Sequence, residues 1–353
     1  MHVEFGLGQA GDESAVICHP DLLFRTQAKV ECPRFGQIAR AAPALSGPVP
    51  STTVLRMRTR ENTAGNIAYG PWTGTRPAPN AAREGHVRLS LKRGADGEAA
   101  LADLYQAQPL RVLFPYRERG DIFQAAIACV SGGLVGGDRL DIGVTLEAGT
   151  RATVIGQAAE KVYRSLGPDC VVETALSAGR DAWLEYLPQE TILFDQARLR
   201  RRTQVRLADG ARFLGGGIVV FGRTARGEIL RSGLVHDGWE FRDGAGRLIW
   251  KDALHMDGDL QALIARPATF GGAVAYGSLI YAAADAAKYL EMVRATAPKE
   301  DLRLGATAFR GLLIVRLIGR NTLVLRDAFA DVWRTLREAA GGLPPVMPRL
   351  WSI

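Results

Sequence analysis

The sequence predicts an all-β-dominated fold, sandwich or solenoid-like, built from many short strands with two α-helices in its C-terminal half. Three observations predict it. From His86 onward apolar and polar residues alternate with period two, the mark of strands with one buried face. Gly, Asp and Pro turn signals break this alternation at short intervals. A helical period is confined to two stretches near the C-terminus.

The elements follow in order. Before about Arg83 the chain scatters Pro43, Pro48, Pro50, Pro71, Pro77 and Pro79 among Gly, Ser, Thr and Arg without sustained periodicity. Such a stretch buries too little apolar surface to offset its ordering entropy, so residues 1–83 read as a disordered extension or as sequence upstream of the true start codon. Residues 84–353 read as one β-rich domain. Its clearest strand is Leu140, Ile142, Val144 and Leu146 interleaved with Asp141, Gly143, Thr145 and Glu147 and stopped by Gly149. Val171–Leu176, Ala182–Leu187, Thr203–Leu207, Ile218–Phe221, Ile229–Val235 and Arg247–Trp250 have the same character, with Asp243-Gly244 as a turn. The first helix is expected over Ala282–Ala297, where Ala286, Leu290 and Val293 share a face and Pro298 ends the run. In the second, Phe329, Val332, Trp333 and Leu336 share a face, Asp327 is the expected cap and Gly341-Gly342 the stop. Between them, Leu312–Ile318 and Thr322–Leu325 flank Gly319-Arg320-Asn321 as an expected hairpin. No fixed-period repeat is visible.

Composition narrows the function. With 353 residues of which 47% are hydrophobic, the chain can build a sizeable core. Its net charge of +7 is mildly basic. The densest basic run, Arg198–Arg202, is short, broken by Leu199 and free of aromatic residues, which favours a solvated strand face or an acidic protein partner over nucleic acid. No apolar run reaches the roughly 18 residues of a membrane helix, and Met1–Asp12 lacks the layout of a secretory signal, so the expectation is a cytoplasmic protein with no membrane partner. Cys18, Cys32, Cys129 and Cys170 form no C-x-x-C pair.

Catalytic signatures are sparse. The segment Gly132-Gly133-Leu134-Val135-Gly136-Gly137-Asp138-Arg139 lacks the Lys and Ser or Thr of a phosphate loop, and a strand rather than a helix follows it. Paired glycines in a turn between strands explain it, with Asp138 as the residue to test. Glu185, Glu190 and Asp195 cluster in sequence, with Glu160 and Glu228 elsewhere, and a carboxylate pair in a groove would suit a β-helical carbohydrate-active hydrolase. The five histidines are widely spaced without an i, i+4 pair, so a permanent metal site is not expected. Any metal contact would be a weak set of carboxylates, backbone and one His or Cys. Cys129, between Ile127 and Val130, reads as a buried apolar residue.

Four segments together resemble the urease accessory protein D family, called H in some organisms: Gly132 to Asp138; Gln157-Ala158-Ala159-Glu160-Lys161-Val162-Tyr163-Arg164-Ser165; Leu184 to Phe194, containing Leu187-Pro188-Gln189-Glu190; and Phe221-Gly222-Arg223 with Gly227-Glu228. Pro348-Arg349-Leu350-Trp351 resembles that family's ending, and the likeness spans roughly Leu110 to Ile353. The resemblance implies a β-helix-like stack of strands carrying two helices, and a non-enzymatic scaffold that binds apo-urease and accessory protein F. Accessory protein F in turn recruits the GTPase accessory protein G, and a transient nickel ion passes through an internal channel, with no permanently bound cofactor. It makes Asp138 the first candidate on the nickel path, through the Gly-Gly-Asp motif, followed by Glu190 and Glu228. Gly132, Gly133, Gly136, Gly137, Lys161, Tyr163, Arg164, Pro188, Gln189, Gly222 and Arg223 match motif positions of structural character. This chain departs from the family pattern at Gly215-Gly216-Gly217, where Trp with an acidic residue is common. It departs again at Ile155-Gly156 in place of Thr-Thr, and at Lys251 with Asp252 in a stretch that is often acidic. Fewer channel carboxylates weaken the attraction for a cation, so a purely structural scaffold without nickel contact stands as an alternative.

Overall fold

A computed structural model describes residues 82–296 and 300–352, all but Ser352 within one compact unit, Met57–Trp351. The expected extension therefore lies outside the described residues except for Ala82 and Arg83, as does Pro298.

Two strands, β1 (Glu84–Arg93) and β2 (Ala99–Ala107), form a hairpin, and β3 (Leu110–Leu113) pairs with β4 (Phe123–Cys129). The chain then coils. Each turn of the coil runs through one strand in each of two sheets: β4 to β5 (Arg139–Leu146), β6 (Arg151–Gly156) to β8 (Cys170–Ala178), β9 (Trp183–Leu187) to β11 (Arg198–Leu207), and β12 (Arg212–Phe221) to β13 (Ser232–Asp243). Short strands β7 (Glu160–Val162) and β10 (Thr191–Leu193) turn the corner between them, and β10 pairs in parallel with both β7 and β12. The expected solenoid is thus present, with parallel pairing of β4, β6, β9 and β12 in one sheet and of β5, β8, β11 and β13 in the other. Arg151 pairs with Trp183 and Trp183 with Arg212, steps of 32 and 29 residues. Unequal loops hide this coil from a search for a fixed period.

The remainder closes the stack. β14 (Leu248–Asp259) returns along β13 through the Asp243 turn, extending well past the expected Trp250, and leads into a short helix α1 (Leu260–Ala265) capped by Asp259. β15 (Ala275–Ala282), β16 (Leu302–Phe309) and β17 (Leu312–Gly319) extend the second sheet in antiparallel fashion. The first expected helix is a 3-10 turn, Ala286–Tyr289, followed by α2 (Leu290–Arg294).

The expected hairpin around Arg320 is not formed. β17 pairs instead with β16 across Arg310 and Gly311, both at positive φ (48° and 75°), the geometry that matches strand twist in a two-residue turn. Thr322–Leu325 is the first turn of α3 (Thr322–Gly341). The cap is Asn321, whose side chain accepts from the Leu323 and Val324 amides, and not Asp327. Leu325 also extends the apolar stripe of Phe329, Val332, Trp333 and Leu336 back by one turn, so packing and capping agree on the earlier start. Gly342, at φ 59°, ends the helix as expected.

Two cores result. Between the sheets lie Leu89, Val144, Leu176, Val205 and Phe241 from one and Leu184, Phe213, Val219 and Ile280 from the other. On the far face of the second sheet, Leu214, Leu279, Tyr281, Leu313 and Val315 meet the stripe of α3. The second sheet is covered on both faces, so β9 and β12 are nearly continuous apolar runs, whereas β5 and β8 keep one wet face and alternate. Each large side chain of the α3 stripe adds about 1.5–3 kcal/mol by leaving water. No helix among the described residues is long and apolar enough to cross a membrane.

One charged cluster lies inside the second core. Arg337, fully buried on α3, donates from Nε to both oxygens of Glu185 (3.0 and 3.2 Å), from Nη1 to the Pro344 carbonyl (2.6 Å) and from Nη2 to Asp121. Glu185 also accepts from Trp183 Nε1 (2.9 Å) and Thr153 Oγ1 (2.5 Å). Arg337→Ala strands Glu185 without its counter-charge and should lower unfolding free energy by about 3–5 kcal/mol in denaturant titration. Arg337→Met combined with Glu185→Met and Asp121→Asn should recover most of that loss, because no charge of the cluster is then left buried without its partner.

Candidate functional site

The glycine loop after β4 is shaped by what the next coil presses against it. A Cβ on Gly133 (φ 137°) would stand 2.4 Å from the Tyr163 ring, and one on Gly136 would stand 2.1 Å from Ser165 Oγ, so no larger residue fits at either position. Asp138, 1% exposed, closes the loop: Oδ2 accepts from the Val135 amide and Oδ1 from the Arg83 amide, each at 3.0 Å.

The corner of the coil carries a ladder of side chains, one from each turn. Tyr163 donates to the Gly132 carbonyl (3.1 Å) and meets Phe194 edge to face at 4.7 Å, and the Arg223 guanidinium sits 4.6 Å above Phe194. Arg223 donates to Glu228 (2.8 Å), whose other oxygen accepts from the Asp195 amide. Asp195 in turn accepts from the Arg231 and Ser232 amides, which together with Arg231 holds its carboxyl below the usual range despite partial burial. Gly222 (φ 89°) lets the chain turn under this ladder. Lys161 and Arg164 are exposed at the same corner, and Arg164 forms a backbone bridge to Ala197.

A clamp joins β9–β10 to the C-terminus. Gln189 Nε2 donates to the Leu350 carbonyl (2.6 Å) and its Oε1 accepts from Arg326 Nη2 (3.3 Å). Arg326, on α3, also pairs with Glu190 and lies 4.7 Å over the Trp351 ring, which stacks on Phe329. The Leu187-Pro188-Gln189-Glu190 and Pro348-Arg349-Leu350-Trp351 motifs are two halves of one contact.

Between the sheets, inside the first three coils, lies a cavity of about 230 Å³. Leu140, Ile142, Val154, Val172 and Leu199 make much of its wall apolar; Cys129, Glu160, Tyr186 and Arg201 bring polar groups to it, as do Lys161, Gln157, Gln189 and Thr191. Burial, reinforced by the charge of Asp138, pushes the Glu160 carboxyl up to about 7. Burial and then Glu160 raise the Cys129 thiol, which bonds with Ser131 Oγ at 3.1 Å. Arg201 points inward and is held by a bidentate pair with Asp237 (2.8 and 2.7 Å) and a bond to Thr191 (2.6 Å). A further, half-buried set follows, in which Arg316 bonds Tyr276 (2.5 Å), Ser278 (2.5 Å) and Asp252. A Cβ at Gly217 would be in ordinary contact with Arg201 Nη2 (3.7 Å) and Pro188 (4.0 Å).

A family model described as UreD urease accessory protein matches residues 83–352. The urease accessory protein UreD of Magnetococcus marinus is 44% identical over 281 residues, covering 78% of this chain and 96% of that protein. Those of Rhodopseudomonas palustris strain HaA2 and Rhizobium rhizogenes are each 39% identical, over 268 and 279 residues, covering 76% and 79% of this chain and 92% and 97% of theirs. The chain belongs to the UreD family. As UreD-family motifs, the quoted segments turn out to be the corner ladder, the loop it presses on and the C-terminal clamp. Asp138, Glu190 and Glu228 are each engaged by backbone amides or an arginine, and none lines the cavity.

The carboxylates suggested for a hydrolase do not meet in a groove. Glu185 pairs with Arg337 and Glu190 with Arg326, eleven residues and about 16 Å apart along α3, while Asp195 belongs to the corner. Of the cavity's charged groups, Glu160 stood in the sequence only among the scattered carboxylates and Arg201 only within the basic run, and Asp237, which holds Arg201 at the wall, was not singled out. Asp237 lies two residues from inward-facing Val235 and from Trp239, and Arg201 two from Leu199 and Thr203, so period two places both inside. The Arg198–Arg202 run is accordingly half a solvated face: Arg198 and Arg200 pair with Asp169 and Arg202 with Glu240, with Arg201 turned inward.

The folded chain keeps the Glu160 proton up to about pH 7, whereas an unperturbed glutamate releases it near 4.5. Stability at this position is therefore full below 4.5 and is lost as pH rises through 7. Glu160→Gln should raise unfolding free energy by up to about 3 kcal/mol at pH 8 and change it little at pH 4.5, as thermal melts across pH will read.

Proposed function

We propose that this UreD-family chain matures urease by binding apo-urease and urease accessory protein F, joining the GTPase accessory protein G through the complex, and letting nickel pass along the interior of its coil. The family places it in urease maturation; the supporting observation for an ion path is the cavity with Cys129 and Glu160. A thiol and a carboxylate are donors suited to a borderline ion, and two donors hold it loosely. Glu160, poised near neutrality, exchanges a proton for a cation at little cost. Asp138 acts at one remove, through its charge on Glu160 and not as a ligand.

A second reading, a scaffold without nickel contact, is favoured by one observation. Arg201 brings a guanidinium to the cavity wall, and its pairing with Asp237 leaves little net attraction for a cation at that level. Co-purification with apo-urease and accessory protein F, followed by urease activity after adding nickel, bicarbonate, GTP and accessory protein G, separates the two. On the ion-path reading, Cys129→Ala with Glu160→Gln leaves complex formation intact and lowers activation by about tenfold or more, as for loss of metal contacts. Unchanged activation assigns the chain a scaffold role alone. Failure to bind either partner overturns both.

A further inference from the structure

The antiparallel register of β13 and β14 sets His236 directly opposite His255 on the outer face of the first sheet. The two Nδ1 atoms are 3.4 Å apart. That is longer than the about 2.7–3.2 Å of an ordinary N–H hydrogen bond. It equals the about 3.3–3.4 Å between two nitrogens that each lie about 2.0–2.1 Å from one tetrahedral metal. We propose that His236 and His255 form a two-histidine chelate for a borderline divalent cation of the nickel, copper and zinc class, on the outside of the coil and independent of the ion path within it.

Several features build the site. Pairing runs on both sides of the two histidines, from Ser232 opposite Asp259 to Phe241 opposite Trp250, so the backbone holds the imidazoles together before any ion arrives. Gly238 lies on the same face two residues along, where even a Cβ would be 3.4 Å from His236 Nε2, so the missing side chain leaves that ring edge room. His255 is exposed and His236 half-buried, so the pair is open to solvent and the remaining coordination positions can be filled by water. Arg200 from β11 and Lys251 from β14 oppose a cation, and Asp237 partly offsets them. That balance disfavours calcium or magnesium, which depend on carboxylate charge, and suits ions that bond to imidazole nitrogen.

Zinc alone, titrated into the full chain and followed through the five histidine ring Hε1–Cε1 resonances, tests this. Two resonances should move together and saturate with one ion. His236→Ala should abolish one and weaken the response of the other by at least about 100-fold, more than is lost with a ligand's outer-shell partner, and His255→Ala should do the reverse. The proposal is overturned if the remaining histidine keeps its wild-type response in either variant, or if only other histidines respond. Both positions are on a wet face, and the unperturbed resonances report that the fold is kept; His255→Gln substitutes should one alanine variant fail to fold.

Discussion

Parallel strands stacked in register leave each inward side chain lying on the inward side chain of the next coil, and the rest of the molecule follows from satisfying that row by row. One row reads Leu89, Val144, Leu176, Val205, Phe241 and is apolar throughout. The row nearer the corner reads Leu140, Val172, Arg201, Asp237 and changes from apolar to charged halfway along. An inward arginine in this architecture needs its counter-ion at the matching position one coil on, and Asp237 is there. The change of character also fixes where the interior is oily and where it is polar, and the cavity lies at that boundary.

A coil of this kind has one face too many. The second sheet contributes one side to the space between the sheets and would expose the other, and α3 covers it. Apolar burial alone does not fix the rotation and height of a helix on a sheet. Two arginines do: Arg337 reaches Asp121 and Glu185, and Arg326 reaches Glu190, Gln189 and the Trp351 carbonyl. The ion pairs are weak evidence of net stability, since desolvation opposes them, but a shift of α3 by one turn would leave four charges buried and unpaired. They make one docking position far better than its neighbours.

Sequence disclosed the parts of this design that repeat locally. Period two located Leu140–Leu146 and most of its successors, and the i, i+3, i+4 stripe located α3 from Phe329 onward. What it could not disclose depends on which strand lies beside which. Thr322–Leu325 has both strand and helix character, and only the docking of Leu325 under Asn321's cap decides between them. His236 and His255 are unremarkable at a spacing of nineteen and become neighbours only when the turn at Asp243 sets the register. Asp138, Glu190 and Glu228 were conspicuous because they sit in motifs, yet motif positions here are those where successive coils touch, and such carboxylates are consumed by backbone amides and arginines. Glu160 belongs to the same motif as Tyr163, and nothing short of the coil geometry separates the residue facing the cavity from the one facing the ladder.

That separation bears on how the ion path proposed above would work without a cluster of acids. A deep carboxylate cluster holds a divalent ion tightly and releases it slowly. A single carboxyl raised to about 7 by burial is charged in only part of the population at neutral pH, and a neighbouring thiol, itself raised, gives up its proton only as an ion replaces it. On the proposed path each step of binding is coupled to loss of a proton and each step of release to its return, so protons compete with the ion. Asp138 adjusts this balance from behind the wall: its charge keeps Glu160 protonated longer without offering a further ligand on which an ion could lodge. The Arg201–Asp237 pair completes the arrangement, since a neutral pair at the polar end provides hydrogen-bonding surface without a second electrostatic well. Among the described residues Glu160 is the one acid that lines the cavity, and the proposed path therefore relies on exchange and not on retention.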